Sequence, residues 1–424
     1  MSASPSYASA GAPSLAALAL VFAGCIAPAE EEKDTGVSYY RDVRPVLDQS
    51  CARCHTDAGL ATSFDDPATV QAMASAIQAR TQAGDMPPPA PDPDCADYEG
   101  SEDLFLSEEA KATLSAWAEA GAPLGDPADA PGARPPLTSA PFDAELRGSA
   151  PYTPVFDETG NDYRCFVLDV GNEEKVYVTG FEALVDNPKI VHHVVLWSVS
   201  GSTRLPDEAE GEVGFACDGF GEGGWDFFAG WAPGGRPFLF DEGQGMGLRA
   251  SSRLVLQMHY YESYDGASAE QDQSGYGLHL SDTVEREVFA MPLGVEDFTI
   301  PAGEMYAEEE MIAPWQDSWG AVTIVGVFPH MHLLGTGFDF RVHHADASET
   351  CVVEMNDWDF HNQQAVRLKE PVTVVGGDVV TVSCQWDNSA TNPNQPSSPP
   401  QDVGFGEGTG DEMCYAFTYG YQNP

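Results

Sequence analysis

Basic side chains are scarce in this chain of 424 residues. Lysine and arginine number 19 against 67 aspartates and glutamates, and the formal net charge is −48. Nucleic-acid binding depends on clustered cations that neutralise phosphates, so this composition excludes that class of function. The chain also lacks an apolar run of the roughly 18 or more residues that a membrane-spanning helix needs. We therefore expect no nucleic-acid partner, and contact with a membrane only through a lipid anchor.

The N-terminal residues predict an export signal followed by a tether. A short apolar run over residues 14–24 suits the core of a signal peptide, residues 1–24. The run ends in Phe-Ala-Gly before Cys25, which resembles a bacterial lipobox and implies cleavage there and lipidation of the Cys25 thiol. An ordinary secretory signal is the alternative, because Leu is usual where Phe22 stands and no Lys or Arg precedes the run. We expect an exported protein, periplasmic or at the cell surface of a bacterium, with residues 25–38 as an acidic, lipid-anchored tether.

A C-x-x-C-H motif follows, formed by Cys51, Cys54 and His55. This spacing is the attachment signature of c-type haem, in which both thiols add to the haem vinyl groups and the histidine becomes an axial ligand of the iron. A disulfide or a chance match is the alternative, and the adjacent histidine and the predicted export argue against it. The motif therefore predicts one covalently attached haem c.

Residues 39–123, which surround this motif, predict a small all-α domain. Ser107 suits a helix N-cap, and the apolar side chains after it recur at helical spacing up to Gly121. The stretch resembles cytochrome c domains, in which the second axial ligand is usually a Met that is often followed by Pro. The resemblance implies that Met86, which precedes three prolines, is this ligand. Residues 124–150, rich in Pro, Ala and Gly, predict a linker.

From residue 151 onward, apolar and polar residues alternate in short stretches that turn residues separate. Examples are Lys175–Phe181, Leu254–Tyr261 and Val372–Cys384. Helical periodicity is absent here, and this alternation is typical of antiparallel β-sandwiches. The expected fold class is therefore multidomain, with a small all-α cytochrome c domain followed by all-β domains.

Five histidines stand out in the β-rich region: His192, His193, His259, His330 and His332. Side chains two residues apart, as at 330 and 332, project from the same face of a strand and can chelate one ion. Adjacent side chains, as at 192 and 193, can share a metal only at a strand end, at a bulge or through suitably chosen ring nitrogens. Imidazole sites with a soft sulfur ligand favour copper, although zinc remains open on chemistry alone. The other histidines of this region are interpreted as structural or exposed: His279, His343, His344 and His361.

Four segments that contain these histidines or a methionine follow one another along the chain. They are Ile190–Leu196 with the His-His pair, Leu256–Tyr260 with His259, His330–Gly335 with the His-x-His, and Asp411–Cys414 with Met413. Together they resemble the copper type II, ascorbate-dependent monooxygenases, a family that includes peptidylglycine α-hydroxylating monooxygenase and dopamine β-monooxygenase. The resemblance implies two jelly-roll-like β-sandwich domains, residues 151–287 and 288–424, each with one copper ion.

The resemblance also implies which residues bind the two coppers. The implied ligands are His192, His193 and His259 for an electron-transfer copper, and His330, His332 and Met413 for an oxygen-activating, catalytic copper. Gln257 matches a family position beside the first of these sites.

The residues that line the family's substrate cleft differ here in an informative way. Tyr163 matches a family Tyr at the cleft. Phe328 stands where peptide-hydroxylating members carry Arg, and Phe417 stands where they carry Tyr. Those two family residues hold the carboxylate of the substrate, and phenyl rings offer neither hydrogen bonds nor charge for that purpose. We therefore expect a neutral, more apolar small-molecule substrate rather than a peptidyl-glycine.

The family pattern further implies two disulfides, Cys165–Cys217 and Cys384–Cys414. The second would anchor the segment that holds Met413. Cys95 and Cys351 are left over, and they either pair across domains or stay free, because the sequence supplies no geometry.

These features predict an exported haem- and copper-containing monooxygenase that hydroxylates a C–H bond with dioxygen. Its electrons would pass to the two coppers from the c-type haem, from ascorbate or from another reductant such as a periplasmic electron donor. The alternative is a non-catalytic haem–copper electron-transfer protein or copper-binding lipoprotein, and the loss of both carboxylate-binding residues keeps it open. A zinc-dependent extracellular β-sandwich module is a third hypothesis.

Overall fold

The structure is a computed structural model that describes residues 36–57, 59, 61–132, 134, 136–157, 160–206, 213–217, 224–262, 270–406 and 408–424. The predicted signal peptide, Cys25 and most of the predicted tether lie outside the described residues. In the part of the chain that is described, no helix is both long enough and apolar enough to cross a membrane. Residues Val37–Pro424 form one compact unit.

Among the described residues, the α-helices lie in the N-terminal part of this unit. After a π-helical turn at Tyr39–Val43 come α1 (Arg44–Ser50), α2 (Pro67–Ala72), α3 (Ala74–Ala83) and α4 (Glu108–Glu119). The Ser107 hydroxyl caps α4 by accepting a hydrogen bond from the Ala110 N–H at 3.1 Å, as its sequence position predicts. Val43, Val70 and Trp117 are fully buried in a small core between these helices.

The prediction of an all-α cytochrome c domain at residues 39–123 is wrong. The chain is 38% strand and 13% helix, with about four helices and no all-α domain of that kind. The physical reason lies in the connection between α3 and α4, which leaves the small helical core and packs into the β-rich region. Tyr98 on this connection is fully buried in a β-sheet core, pairs with Leu368 and donates a hydrogen bond to the Val352 carbonyl at 3.2 Å.

A disulfide reinforces this attachment. Cys95 is bonded to Cys351, the two cysteines for which the sequence left the pairing open. The Asp92 N–H also donates to the Glu354 carbonyl at 2.7 Å. The helical segment (residues 39–123) therefore shares part of its core with the β-rich region, and it is not joined to that region through the predicted linker alone.

Twenty strands lie in the described residues that follow the helical segment. The first ten are β1 (Ala144–Arg147), β2 (Asn161–Asp169), β3 (Val176–Leu184), β4 (Val191–Val199), β5 (Phe215–Ala216), β6 (Trp225–Trp231), β7 (Phe238–Leu239), β8 (Gln244–Leu248), β9 (Arg253–Tyr261) and β10 (Gly275–Ser281). The second ten are β11 (Arg286–Gly294), β12 (Thr299–Ile300), β13 (Ala307–Pro314), β14 (Val322–His330), β15 (Gly335–His343), β16 (Glu349–Met355), β17 (Val366–Val374), β18 (Val379–Trp386), β19 (Val403–Gly404) and β20 (Tyr415–Gln422).

One nine-stranded sheet runs through both halves of the β-rich region. Its order is β1-β10-β3-β8-β11-β20-β14-β17, with β7 paired to β3 outside this path. The halves join where β11 pairs in parallel with β8, Arg286 to Val288 against Gln244 to Met246. The other sheets are five-stranded (β5-β2-β9-β4-β6), four-stranded (β13-β18-β15-β16) and two-stranded (β12-β19).

Two apolar cores hold the sheets together. In the first, side chains of the five-stranded sheet such as Leu256 pack with Phe181 and Tyr276 of the nine-stranded sheet. In the second, side chains of the four-stranded sheet such as Phe340 pack with Ile324 of the nine-stranded sheet. Residues at every second position supply the buried face on strands such as β17, whereas β9 and β14 are buried along nearly their whole length. The two cores place β4 and β9 on one side, and the end of β14 on the other, of a common cleft.

Candidate functional site

Three histidines converge on the five-stranded sheet, and we name them the first cluster: His192, His193 and His259. His193 on β4 pairs with His259 on β9, and the pairing register shifts between Val191 and His193. Because of this irregularity, the adjacent His192 and His193 side chains reach the same place. The His193 Nδ1 atom lies 3.2 Å from the Nδ1 atom of His192 and 3.4 Å from that of His259. One ligand nitrogen from each residue can thus bind a single metal ion.

The opposite ring nitrogens of two of these histidines have partners outside the cluster. The Nε2 atom of His259 lies 2.6 Å from the Asn161 Oδ1 atom, and that of His192 lies 2.9 Å from the His361 Nδ1 atom. Tyr163 stacks on the His259 ring with a centroid distance of 4.2 Å. In the tautomer that leaves Nδ1 free for a metal, each Nε2–H donates one of these hydrogen bonds and thereby orients its ring.

The second cluster is formed by His330, His332 and Met413. His330 ends β14, and its Nδ1 atom lies 2.6 Å from the Gln363 Oε1 atom. The His332 Nδ1 atom lies 3.0 Å from the Asp411 carbonyl oxygen. A proton on Nδ1 of each ring leaves both Nε2 lone pairs for a metal. The Met413 side chain is buried and lines the same cleft as the two imidazoles.

A buried carboxylate supports the second cluster. Glu412 is fully buried and accepts hydrogen bonds from the backbone N–H groups of His332 (2.9 Å), Leu334 (2.6 Å) and Met413 (3.3 Å), and from the Trp386 indole (3.0 Å). Burial raises the pKa of Glu412 to about 7, against the opposing effect of these donors. The Glu412 side chain thus connects the segment that carries His332 to the segment that carries Met413.

Burial keeps the histidines of both clusters neutral. Desolvation, with a neighbouring imidazole as a smaller cause, lowers the pKa values of His192 and His330 to about 3. Desolvation lowers the pKa of His332 to about 4, against the opposing effect of Asp411. Desolvation and neighbouring imidazoles hold the pKa values of His193 and His259 well below their usual value. Neutral imidazoles are the form that binds metal ions, and a bound cation would supply the charge that these nitrogen lone pairs attract.

Both clusters open on one cleft, which His193 lines from the first cluster and His330, His332 and Met413 line from the second. Its wall is largely aromatic and contains Trp197, Phe227, Phe328, Phe360 and Phe417. Phe227 and Phe417 stack with a centroid distance of 4.1 Å. No Lys, Arg, Asp or Glu occurs among the described residues that line the cleft.

The polar groups of the cleft are few. Tyr163 lines it, with its hydroxyl 2.6 Å from the Thr409 hydroxyl. Gln257 lines it as well, and its Oε1 atom accepts a hydrogen bond from the Trp197 indole at 3.1 Å. The structure therefore brings Tyr163, Phe328 and Phe417 together in one cleft with both histidine clusters.

The cysteines of the C-x-x-C-H motif are not in a disulfide. The His55 ring stacks on Phe64 with a centroid distance of 4.1 Å, and its Nδ1 atom lies 2.8 Å from the Thr62 carbonyl oxygen. This contact leaves the Nε2 lone pair free to act as an axial ligand, so the motif fits a haem. Burial raises the pKa of the Cys51 thiol to about 12 and that of Cys54 in the same direction.

Met86 lies elsewhere on the helical segment. Its side chain is 40% exposed and lines a second cleft with Pro87 to Pro89 and Phe105. The described residues that line this cleft do not include Cys51, Cys54 or His55. The structure thus does not bring Met86 and the C-x-x-C-H motif into one pocket.

Sequence reasoning missed the residues that support the two clusters. They are Asn161, His361, Gln363 and Glu412. Of these four, only Glu412 was indicated by the sequence. It stands directly beside the implied Met ligand, and an acidic residue in a buried segment needs hydrogen-bond partners. The other three become visible only when their loops are folded against the histidines.

Residues 294–424 match the family model of the copper type II ascorbate-dependent monooxygenase C-terminal domain. The match covers the C-terminal part of the chain, less than half of its length. DBH-like monooxygenase protein 2 of Mus musculus is 23% identical over 291 residues, which cover 63% of this chain and 44% of the relative. Dopamine beta-hydroxylase of Canis lupus familiaris is 29% identical over 206 residues, which cover 46% of this chain and 31% of the relative. The chain thus spans less than half the length of these relatives.

The family match supports a copper-dependent monooxygenase at a coarse level, with ascorbate as the reductant that the family uses. The residues present fit copper, because one cluster offers three imidazoles and the other offers two imidazoles and a thioether. Solved structures resemble the chain only weakly. The major capsid protein P2 from Bacteriophage PM2 matches with a TM-score of 0.21 and 8% identity over 59% of this chain and 99% of that chain, and this likeness carries no argument.

Three disulfides connect the described residues: Cys95–Cys351, Cys165–Cys217 and Cys384–Cys414. The last joins β18 to the residue that follows Met413, so it ties the second cluster to the four-stranded sheet. Disulfides persist in oxidising compartments, which indicates an extracellular location.

Proposed function

We propose that this protein is an exported haem- and copper-containing monooxygenase that hydroxylates a C–H bond of a small, neutral organic molecule. The observation that carries this proposal is the common cleft, onto which an all-nitrogen cluster and a nitrogen–sulfur cluster both open. We assign residues 151–287 to the first copper site and residues 288–424 to the second. Copper supplies one-electron storage and oxygen activation when it is bound at these sites.

The side chains of the two clusters have different tasks. His192, His193 and His259 would hold an electron-transfer copper through nitrogen alone. His330 and His332 would hold the oxygen-activating copper together with the Met413 thioether, whose softness favours the reduced ion. Outer hydrogen bonds fix the rings of His192, His259, His330 and His332 before any substrate arrives, which lowers the cost of reaching the productive geometry.

The cleft wall points to the class of substrate. Phe227, Phe328 and Phe417 present apolar faces beside the second cluster, and no charged side chain among the described lining residues can pair with an ionised substrate. A charged molecule would lose its hydration without compensation, whereas an apolar one would gain from burial. A small neutral molecule with an aromatic or aliphatic C–H bond therefore fits this cleft better than a peptidyl-glycine.

The helical segment would supply electrons. Cys51 and Cys54 would attach the haem, and His55 would ligate its iron through Nε2. Met86 stays the second ligand that the sequence resemblance implies, although it lines a different cleft from the motif. Such a haem assists or replaces ascorbate as the reductant. The proposed lipid on Cys25 would hold the exported protein at a bacterial membrane.

The test begins with the purified mature protein loaded with copper. Metal analysis and the reduced-minus-oxidised optical spectrum should give two coppers and one c-type haem per chain. Oxygen uptake should then depend on a neutral aromatic or aliphatic substrate, and H330A should abolish it. One copper, or zinc in place of copper, would contradict the proposal. Two coppers and a haem without substrate-dependent oxygen uptake would favour the alternative of a non-catalytic electron-transfer protein.

A further inference from the structure

His361 lies behind the first cluster, on the short loop between β16 and β17. Its Nδ1 atom is 2.9 Å from the His192 Nε2 atom, and the two rings meet edge to face at 84°. The His192 Nδ1 atom points the other way, 3.2 Å from the His193 Nδ1 atom. Among the described residues, the histidines whose ligand atoms all lie within 4.8 Å of one another are His192, His193 and His259. His361 is therefore placed to contact a ligand rather than to be one.

The loop that carries His361 is held in place on both sides of the ring. The His361 N–H donates to the Asp359 carboxylate at 2.9 Å, which turns the chain tightly. The preceding side chain, Phe360, is buried, and its ring centroid lies 4.9 Å from that of His192 and 6.1 Å from that of His332. The phenyl ring thus lies between the two clusters and anchors the loop against both.

The residues after His361 extend these contacts. Gln363 accepts from the second cluster at His330, with 2.6 Å between Oε1 and Nδ1. Asn362 donates to the Pro89 carbonyl of the helical segment at 2.7 Å. A side-chain carbon at Gly234 would lie 3.3 Å from Cys54 Sγ and 3.4 Å from Gln364 Nε2, so both side chains lie close to this glycine. The loop is therefore fixed against both clusters and against the helical segment.

We propose that His361 is a positioning residue of the first metal site, which accepts a hydrogen bond from His192 and fixes the orientation and tautomer of that ligand. A neutral His361 with its proton on Nε2 presents a lone pair at Nδ1, which the His192 Nε2–H can use. That bond commits the His192 Nδ1 lone pair to the metal and raises its basicity as a ligand. The inference rests on the proposed function and specifies how one of its two metal sites is built.

The chain offers a matched set of variants. H361L removes the acceptor and keeps a side chain of similar bulk. H361N restores an acceptor, because the Asn Oδ1 atom occupies a position close to that of the His Nδ1 atom. H343L is the control, because His343 lies on β15 of the four-stranded sheet and contacts Thr381 there.

The measurement is copper binding to the full chain in competition with a chelator, together with the electron paramagnetic resonance spectrum of the bound Cu(II). We expect H361L to weaken one of the two coppers by about 10- to 100-fold and to change the spectrum of that copper only. H361N should restore most of the affinity and the spectrum, and H343L should leave both unchanged. Neither readout requires turnover or a known substrate.

Three results would overturn the inference. The first is wild-type affinity and spectrum for both coppers in H361L. The second is an equal loss in H361L and H361N with an unchanged spectrum, which would indicate only loop stability. The third is equal weakening of both coppers in H361L. A wild type that binds fewer than two coppers overturns the proposed function itself, before any variant is compared.

Discussion

The two histidine clusters face one cleft but are built in different ways. The first arises within one sheet, where an irregular register between β4 and β9 turns three imidazoles toward one point. The second combines a strand end at His330 with the loop that carries Met413; a buried carboxylate holds the two together, and a disulfide ties the loop to β18. A register irregularity between two paired strands can thus bring nitrogen ligands together, whereas the sulfur ligand comes from a loop that needs its own supports.

The difference extends to chemistry. Three imidazoles accommodate both oxidation states of copper, which suits a site that stores and passes one electron. Replacing one imidazole by the Met413 thioether favours the reduced ion, which suits a site that meets dioxygen. The presence of a sulfur ligand in the second cluster alone therefore distinguishes the two proposed roles.

The largest expected effect comes from removing one ligand of each cluster. H330A and H193A should each lose one of two coppers, and both should lower substrate-dependent oxygen uptake by about 100-fold or more, because the two sites act as a unit. Copper X-ray absorption should separate them: scattering from sulfur should vanish in H330A and persist in H193A. Sulfur scattering that is equal in both variants would contradict the assignment of Met413 to the second cluster alone.

The second prediction concerns the support of the second cluster. E412A leaves four hydrogen-bond donors without their buried acceptor, so we expect the free energy of unfolding to fall by about 3–5 kcal/mol. Urea unfolding of the metal-free protein measures this loss. E109A, at an exposed position in the first turn of α4, is the control and should change stability by no more than about 0.5 kcal/mol. A fall in the free energy of unfolding of less than about 1 kcal/mol in E412A would show that the carboxylate is not needed to hold the segments of His332 and Met413 together.

The third prediction is a pH dependence at the same residue. Because burial raises the pKa of Glu412 from 4.5 to about 7, the folded protein retains a proton that the unfolded chain releases near pH 4.5. The stabilisation is complete below pH 4.5 and is lost as the pH rises to about 7, by about 3 kcal/mol in total. E412Q cannot titrate, so the stability difference between the metal-free wild type and E412Q should shrink between pH 5 and pH 8. A constant difference would mean that the folded carboxyl is ionised throughout.

The smallest expected effect concerns the cleft wall beside the second cluster. F328R places a cation two residues before His330, so we expect the ratio of kcat/KM for a carboxylate-bearing substrate to that for its neutral analogue to rise about 10-fold. Steady-state oxygen uptake with the matched pair measures the ratio. F227L, which changes the opposite aromatic wall without adding charge, should leave the ratio unchanged. An unaltered ratio in F328R would show that charge at this position does not select the substrate.

Much of the local pattern was predictable from the sequence. The alternation after residue 151 indicated strands, and Ser107 marked the start of α4. The spacing of His330 and His332 indicated a shared strand face; both line one cleft, but β14 ends at His330 and His332 lies beyond it. The adjacent His192 and His193 required an irregular strand, which the structure contains. These features depend on one strand or one helix turn, so a period or a spacing of a few residues suffices to express them.

The sequence alone determined the chemistry that this protein carries: which nitrogen, sulfur and thiol groups are present, in which order, and on strands or helices. Only the tertiary structure decided that Tyr98 completes a β-sheet core, that Cys95 bonds Cys351, and that His361 and Glu412 stand behind the two clusters. The physical reason is the sequence separation of the partners. Such contacts join residues tens to hundreds of positions apart, and burial and hydrogen bonding select them only after the sheets have packed.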